Sequence, residues 1–319
     1  MRILVVGAGA LGGYFGGRLK EAGRDVTFLV RPRRVEQLAK TGLLVRSPKG
    51  DIAIAAPPTV LSENIRAPFD LILLSCKAYD LQGAMDSFAP AVGPNTAILP
   101  LLNGMKHMDL LAARFGANAV LGGQCVISAT LDGEGRVLHL NDLHFVSFGE
   151  QNGAKSERAM TIAEAFSGAK FDSQLSTTIR QEMWEKWAII ASMAGITCLL
   201  RGAVGDIVAA EAGQLPVDIY EECCAIASAN GFAPGESARK RSIGMLTAPG
   251  STFAASMLRD IERGAPIEAD HIVGDLLARG DARKSSVITG KHPLLHLAYA
   301  HLRTYEARRQ REKAVPPQH

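Results

Sequence analysis

The chain has 319 residues, 47% apolar and 21% charged, a balance that excludes a disordered chain and allows two domains of roughly 150 residues each. Its formal charge of +3 is too small to argue for a nucleic-acid partner. The five cysteines, at 76, 125, 198, 223 and 224, are too scattered for a disulfide framework. No cleavage region follows the glycine-interrupted apolar start, so a cytoplasmic, reducing setting is expected.

Residues 2–6 form a short apolar run stopped by Gly7, the pattern of a buried parallel strand. A glycine-rich turn follows, then a helix over 11–22 that ends at Gly23, and a second strand over 25–30. Apolar runs at 69–75, 96–102 and 119–127, spaced by helical stretches such as 79–88, predict a doubly wound parallel sheet. Residues 137–149 read as one or two late strands closing that half.

Beyond about residue 176 strand-like runs cease. Segments of helical period take over at 178–199, 216–230, 235–246, 252–263, 267–280 and 293–309. The expectation is therefore an α/β chain: a Rossmann-type domain over 1–176, an all-helical domain over 177–312 and a flexible tail over 313–319, with fraying from Gln310. The longest apolar run, 187–200, is shorter than the roughly 20 residues of a membrane-spanning helix, so no membrane partner is expected. His292 and His296 stand four apart with Pro293 between them and no H-E-x-x-H glutamate, so no metal site is expected.

The turn Gly7-Ala8-Gly9-Ala10-Leu11-Gly12 has G-x-G-x-x-G spacing between a strand and a helix. The first glycine permits the tight turn and the second lets a pyrophosphate approach the backbone. The third lets helix and strand pack closely, and the helix N-terminus offers N–H groups to the phosphates. NAD sites place a carboxylate at the end of the second strand. Here the strand runs into Arg31, with Arg33 and Arg34 beyond it, and a guanidinium suits a 2′-phosphate. NADPH is the expected cofactor.

With further motifs the chain resembles the 2-dehydropantoate 2-reductase (ketopantoate reductase) family over nearly its whole length. Besides the glycine turn with Arg31, they are Ser75-Cys76-Lys77-Ala78-Tyr79, Leu102-Asn103-Gly104-Met105, Trp184-Glu185-Lys186, and Ser256-Met257-Leu258 with Asp260 followed by Glu268-Ala269-Asp270. The resemblance implies a Rossmann domain joined to a helical domain of the 6-phosphogluconate dehydrogenase type. It also implies NADPH-dependent reduction of a 2-oxo acid to a 2-hydroxy acid, pantothenate biosynthesis being one pathway for it. Helical second domains of this type often pair, so a homodimer is one expectation, and the oligomeric state stays open.

Hydride delivery to a ketone builds negative charge on oxygen, so a proton donor must face it. The resemblance gives that role to Lys186, with Glu268 orienting it or the substrate. Lys77 goes to the cofactor, Asn103 to cofactor and substrate, and Ser256 to the substrate carboxylate. Plainer readings exist: Glu182 stands four residues before Lys186, as in any helix ion pair, and Asn103-Gly104 is a common turn pair. An NADP-linked hydroxyacid or polyol dehydrogenase of the same superfamily, or a non-catalytic NADPH sensor, are the alternatives.

One departure bears on substrate. One and two turns after the lysine the family carries asparagines that bind substrate; here those positions hold Ile190 and Ala194. Residues four apart share a helix face, so Lys186, Ile190 and Ala194 should line one side of the site. Losing two amides favours a 2-oxo acid, or another ketone, with a more apolar group next to the carbonyl than ketopantoate has. Thr197 lies on the same face and could offer a hydroxyl, though a core threonine is the simpler reading.

Overall fold

The computed structural model describes residues 1–280 and 291–314. It falls into two compact units, one of residues 1–102 and 107–179, the other of residues 103–106 with the chain from 180 onward.

In chain order the first unit begins with β1 (Arg2–Val6), α1 (Ala10–Glu21), β2 (Asp25–Leu29) and α2 (Pro32–Thr41). Three short strands follow, β3 (Leu43–Arg46), β4 (Ile52–Ile54) and β5 (Thr59–Val60), then β6 (Leu71–Leu74), α3 (Leu81–Phe88) and β7 (Ala97–Pro100). Helix α4 (Lys106–Phe115, its first residue belonging to the second unit), long strands β8 (Gly122–Leu131) and β9 (Val137–Gly149), α5 (Glu157–Phe166) and β10 (Asp172–Leu175) complete it. β1, β2, β5, β6 and β7 form a parallel sheet in the order β5-β2-β1-β6-β7. β1 lies at its centre, four of its five residues buried, which is why it reads as an unbroken apolar run. Pro32 opens α2, where its missing N–H costs nothing. Ser156 caps α5 by accepting from the Ala159 N–H at 3.2 Å.

The run at 119–127 does not extend the parallel sheet. Apart from one bridge between Ile98 and Val120, it supplies β8, which runs antiparallel to β9 in a second sheet. That sheet has the order β10-β9-β3-β4 and includes the unforeseen hairpin of β3 and β4. Residues 137–149 form one strand, joined to β8 by a turn closed between Asp132 and Arg136. Tyr14, Phe15, Phe28, Phe148 and Phe166 are buried in the core that α1 shares with both sheets.

The second unit holds α6 (Ile179–Leu200, its first residue belonging to the first unit), α7 (Val204–Ala209), α8 (Leu215–Ala229), α9 (Glu236–Leu246) and α10 (Ser256–Glu262). A single π turn, Asp270–Gly274, runs into α11 (Asp275–Gly280), and α12 (Pro293–Ala314) is the last described element. The segments expected at 252–263 and 267–280 are thus shorter, with the second opening as a π turn. The helix continues past Gln310, so Lys313 is helical rather than part of a flexible tail; residues 315–319 lie outside the described residues.

At 22 residues α6 is longer than its apolar run and apolar enough to cross a membrane by length and composition. However, 67% of its most apolar window is buried within the fold, as in a core helix. At Gly195 a Cβ would lie 2.7 Å from Ile219 Cδ1 and 3.3 Å from Ala298 Cβ, so α8 and α12 approach α6 where it has no side chain.

Candidate functional site

In the first unit, the chain leaves β1 through Gly7, whose φ of +92° suits glycine, and the Gly7 N–H donates to the Leu29 carbonyl at 2.9 Å. Gly9 caps α1 without a side-chain hydrogen bond, and a Cβ on it would meet nothing within 4 Å. On Gly12 a Cβ would lie 2.0 Å from the Gly7 carbonyl oxygen and 2.4 Å from Ser75 Oγ, so no larger residue fits. Ala8 is buried, and Ala10 and Leu11 are half-buried in the first turn of the helix. No side chain caps that first turn and no acid lies in it, leaving an electropositive helix start with open approach.

Arg31 lies two residues past β2, at the N-cap position of α2, and makes no side-chain capping bond there. Its guanidinium is 78% exposed and pairs with Asp80 at 2.8 Å, which raises its pKa. Asp80 ends the short turn that follows Lys77 after β6, so this pair joins the ends of β2 and β6 on either side of β1. Lys77 itself is exposed. Arg34 donates to the Ala8 carbonyl at 2.8 Å and to Gln37 Oε1 at 2.6 Å, and Gln37 donates to the Glu134 carbonyl at 2.7 Å. Burial lowers the Arg34 pKa, and the residue acts as a strut holding the glycine turn. An open basin of about 570 Å³ beside it is lined by Arg31, Arg33, Arg34 and Lys40, against the carboxylates of Glu36 and Asp132. Four cations against two anions, between α2 and the β8–β9 turn, suit a phosphorylated ligand.

In the second unit, Trp184 and Trp187 anchor α6, at 2% and 0% exposure, while Lys186 between them is half-buried. Ile190, one turn on, is also half-buried, and Ala194 is buried. Thr197 is fully buried, donates to the Met193 carbonyl at 2.7 Å and accepts the Ala255 N–H at 3.3 Å. Its hydroxyl is engaged by main chain, as in a core threonine, and does not replace the missing amides. Ser256, exposed at the start of α10, follows Ala255 and so sits level with Thr197, about 16 Å along the axis from Lys186 at 1.5 Å per residue.

The Asn103–Gly104 turn belongs to this unit. Gly104 has φ +79°, and a Cβ on it would lie 2.9 Å from the His271 carbonyl oxygen and 3.5 Å from Trp187 Nε1. Trp187 Nε1 in turn donates to the Ile272 carbonyl at 2.8 Å, and the His271 ring hydrogen-bonds the Asn103 backbone. The Ile272 N–H donates to the Glu268 carbonyl at 2.9 Å. Three sequence motifs far apart in the chain, Asn103-Gly104, the Trp-Glu-Lys start of α6 and the stretch from Glu268, are therefore stitched into one cluster by bonds from the Trp187 and His271 side chains to main chain. Ser256 is not part of that stitching. Sequence reasoning missed Arg34 as a strut, Asp80 as the partner of Arg31, and His271; the last carries no local signal, being one histidine in a helical stretch. Among the described residues, no group of three or more His, Cys, Asp or Glu could hold a metal ion.

Residues 3–153 match the family model described as ketopantoate reductase PanE/ApbA, and residues 178–306 match its C-terminal counterpart. An uncharacterized oxidoreductase, YkpB of Bacillus subtilis, is 39% identical over 96% of this chain and 99% of its own. The 2-dehydropantoate 2-reductase of Mesorhizobium japonicum is 29% identical over 86% of this chain and 89% of its own. Among solved structures, the 2-dehydropantoate 2-reductase of Geobacter metallireducens superposes with a TM-score of 0.85 at 30% identity, covering 95% of this chain and 99% of the other.

Proposed function

We propose that this chain, which belongs to the ketopantoate reductase family of oxidoreductases acting on CH–OH groups, is an NADPH-dependent reductase of a 2-oxo acid more apolar than ketopantoate. When bound, the nicotinamide supplies the hydride to the ketone carbon. The uncapped start of α1 and the open approach at Gly9 fit a pyrophosphate, and Arg31 takes the 2′-phosphate by exchanging its exposed pairing with Asp80. Lys77 contributes to holding the cofactor.

The observation that carries the chemistry is the cluster around Trp187. Lys186, the residue before Trp187 on α6, is half-buried and donates the proton to the oxygen on which charge develops. Glu268 orients Lys186 or the substrate, and Asn103 holds the nicotinamide ribose and the substrate carbonyl. The cluster fixes the main chain of all three segments, so these side chains start from set positions. Ser256 contributes a hydroxyl to the carboxylate from the far end of α6. The apolar preference follows from Ile190, which shares the face of Lys186, and from Thr197, whose hydroxyl is engaged elsewhere.

The test is to follow NADPH and NADH oxidation by the wild-type protein and Arg31→Ala, with ketopantoate and a panel of branched and aromatic 2-oxo acids. Turnover of an apolar 2-oxo acid above ketopantoate is expected, with Arg31→Ala raising the KM for NADPH about tenfold and that for NADH little. Preference for ketopantoate overturns the substrate class, an equal effect of Arg31→Ala on both cofactors overturns the NADPH assignment, and no oxidation with any acid leaves a cofactor-binding protein.

A further inference from the structure

His271 is a buried ionisable side chain in the second unit to which the proposed chemistry gives no task. It is 7% exposed and lies in the π turn, three residues after Glu268. A π turn leaves a carbonyl without its α-helical partner, and such turns recur at functional sites. Here the Ile272 carbonyl, next to His271, takes the Trp187 indole N–H.

The His271 ring bonds the Asn103 backbone in a way that favours the protonated ring, so the ring N–H donates and the carbonyl accepts. Its edge lies against the same turn, with Cδ2 3.2 Å from where a Gly104 Cβ would be. Burial is the largest influence and pushes the ring towards its neutral form; Lys106 acts in the same sense, and Glu268 and Asp275 oppose it.

We propose that His271 is a positioning residue for the reduction: it pins the Asn103–Gly104 turn to the π turn, which Trp187 pins to α6 beside Lys186. Its role rests on the assignment of Asn103, Lys186 and Glu268 made above. Without the ring N–H, the turn keeps its covalent path but loses the bond that sets where Asn103 points. Misplacement of about 1 Å suffices to cost on the order of a hundredfold in rate.

The test compares His271→Leu with His271→Gln and His271→Asn, which between them place an amide N–H at either ring nitrogen. Two readouts are taken on the full-length protein: hydrogen exchange at residues 103–106, and kcat, KM and NADPH affinity with the best acid of the panel. The expected result for His271→Leu is faster exchange at 103–106 and kcat lower by about ten- to a hundredfold, with NADPH affinity within about threefold. One of the amide variants should restore both exchange and kcat. Unchanged exchange in His271→Leu, or losses as large in both amide variants, overturns the role. If the wild-type protein turns over no 2-oxo acid, the functional assignment fails, while the exchange comparison still decides whether His271 pins the turn.

Discussion

In the turn from Gly7 to Gly12 the atoms that matter are main-chain atoms; along α6, at Lys186, Ile190 and Ala194, they are side chains. The turn tolerates no side chain at Gly12, where a Cβ would sit 2.0 Å from the Gly7 carbonyl oxygen, and Arg34 ties down Ala8 from behind. The face of α6 has no such constraint at Ile190, which is half-buried, although Ala194 on it is buried. Its geometry is set by Trp184 and Trp187 on the buried side, so the residue at 190 can change without disturbing the helix. A site made of backbone keeps its ligand class as long as the fold persists, whereas a site made of side chains can change substrate one residue at a time.

The largest effect expected from breaking this comparison lies on the side-chain half. Lys186→Met should lower kcat/KM by roughly 10²- to 10⁴-fold, the usual worth of a positioned proton donor, while NADPH affinity measured by fluorescence titration stays unchanged. A loss below tenfold would remove Lys186 from that role.

Next is the backbone half. Gly12→Ala must displace the Gly7 carbonyl or α1, an overpacking cost of about 1–3 kcal/mol, so NADPH affinity should fall by roughly ten- to a hundredfold. Wild-type affinity in a folded Gly12→Ala protein would show that the turn is not the cofactor site.

The smallest effect is on stability in mild acid. Burial lowers the pKa of His144 in the first unit and of His271 and His301 in the second. Below the ordinary histidine value of 6.5 the unfolded chain binds protons that these rings do not. Their contribution is therefore complete above that value and is lost as pH falls through their lowered folded values. Both tryptophans of the chain lie on α6, so indole emission reports the helical unit alone. Between pH 7 and 5.5 the unfolding midpoint seen by emission should drop further than the one seen by far-ultraviolet circular dichroism. Equal drops would show that two such groups in the helical unit, against one in the sheet unit, make no difference.

The glycine turn was legible in the sequence because each of its glycines answers to a local demand, and α6 because a long apolar run has few other uses. The assignment of 119–127 to the parallel sheet failed because a buried apolar strand looks the same in either sheet. The distinguishing sign was Asp132-Gly133, a hairpin turn signal lying just past it. β10 has three exposed residues in four and leaves no apolar trace, so nothing announced it. At the site, Lys186 and Glu268 stood in motifs, while Arg34 and His271 work through bonds to carbonyls 26 and 168 residues away, of which composition and period carry no trace.

The segment 103–106 has a bearing on how this protein can be dismantled. It is threaded into the packing of the helical unit although the chain on both sides of it belongs to the sheet unit. A fragment cut at residue 180 would therefore lack the loop that covers Trp187 and His271, and a chimera exchanging helical halves between relatives would set one protein's loop on another's helix. The exchangeable module is discontinuous: four residues from the middle of the chain travel with its C-terminal portion.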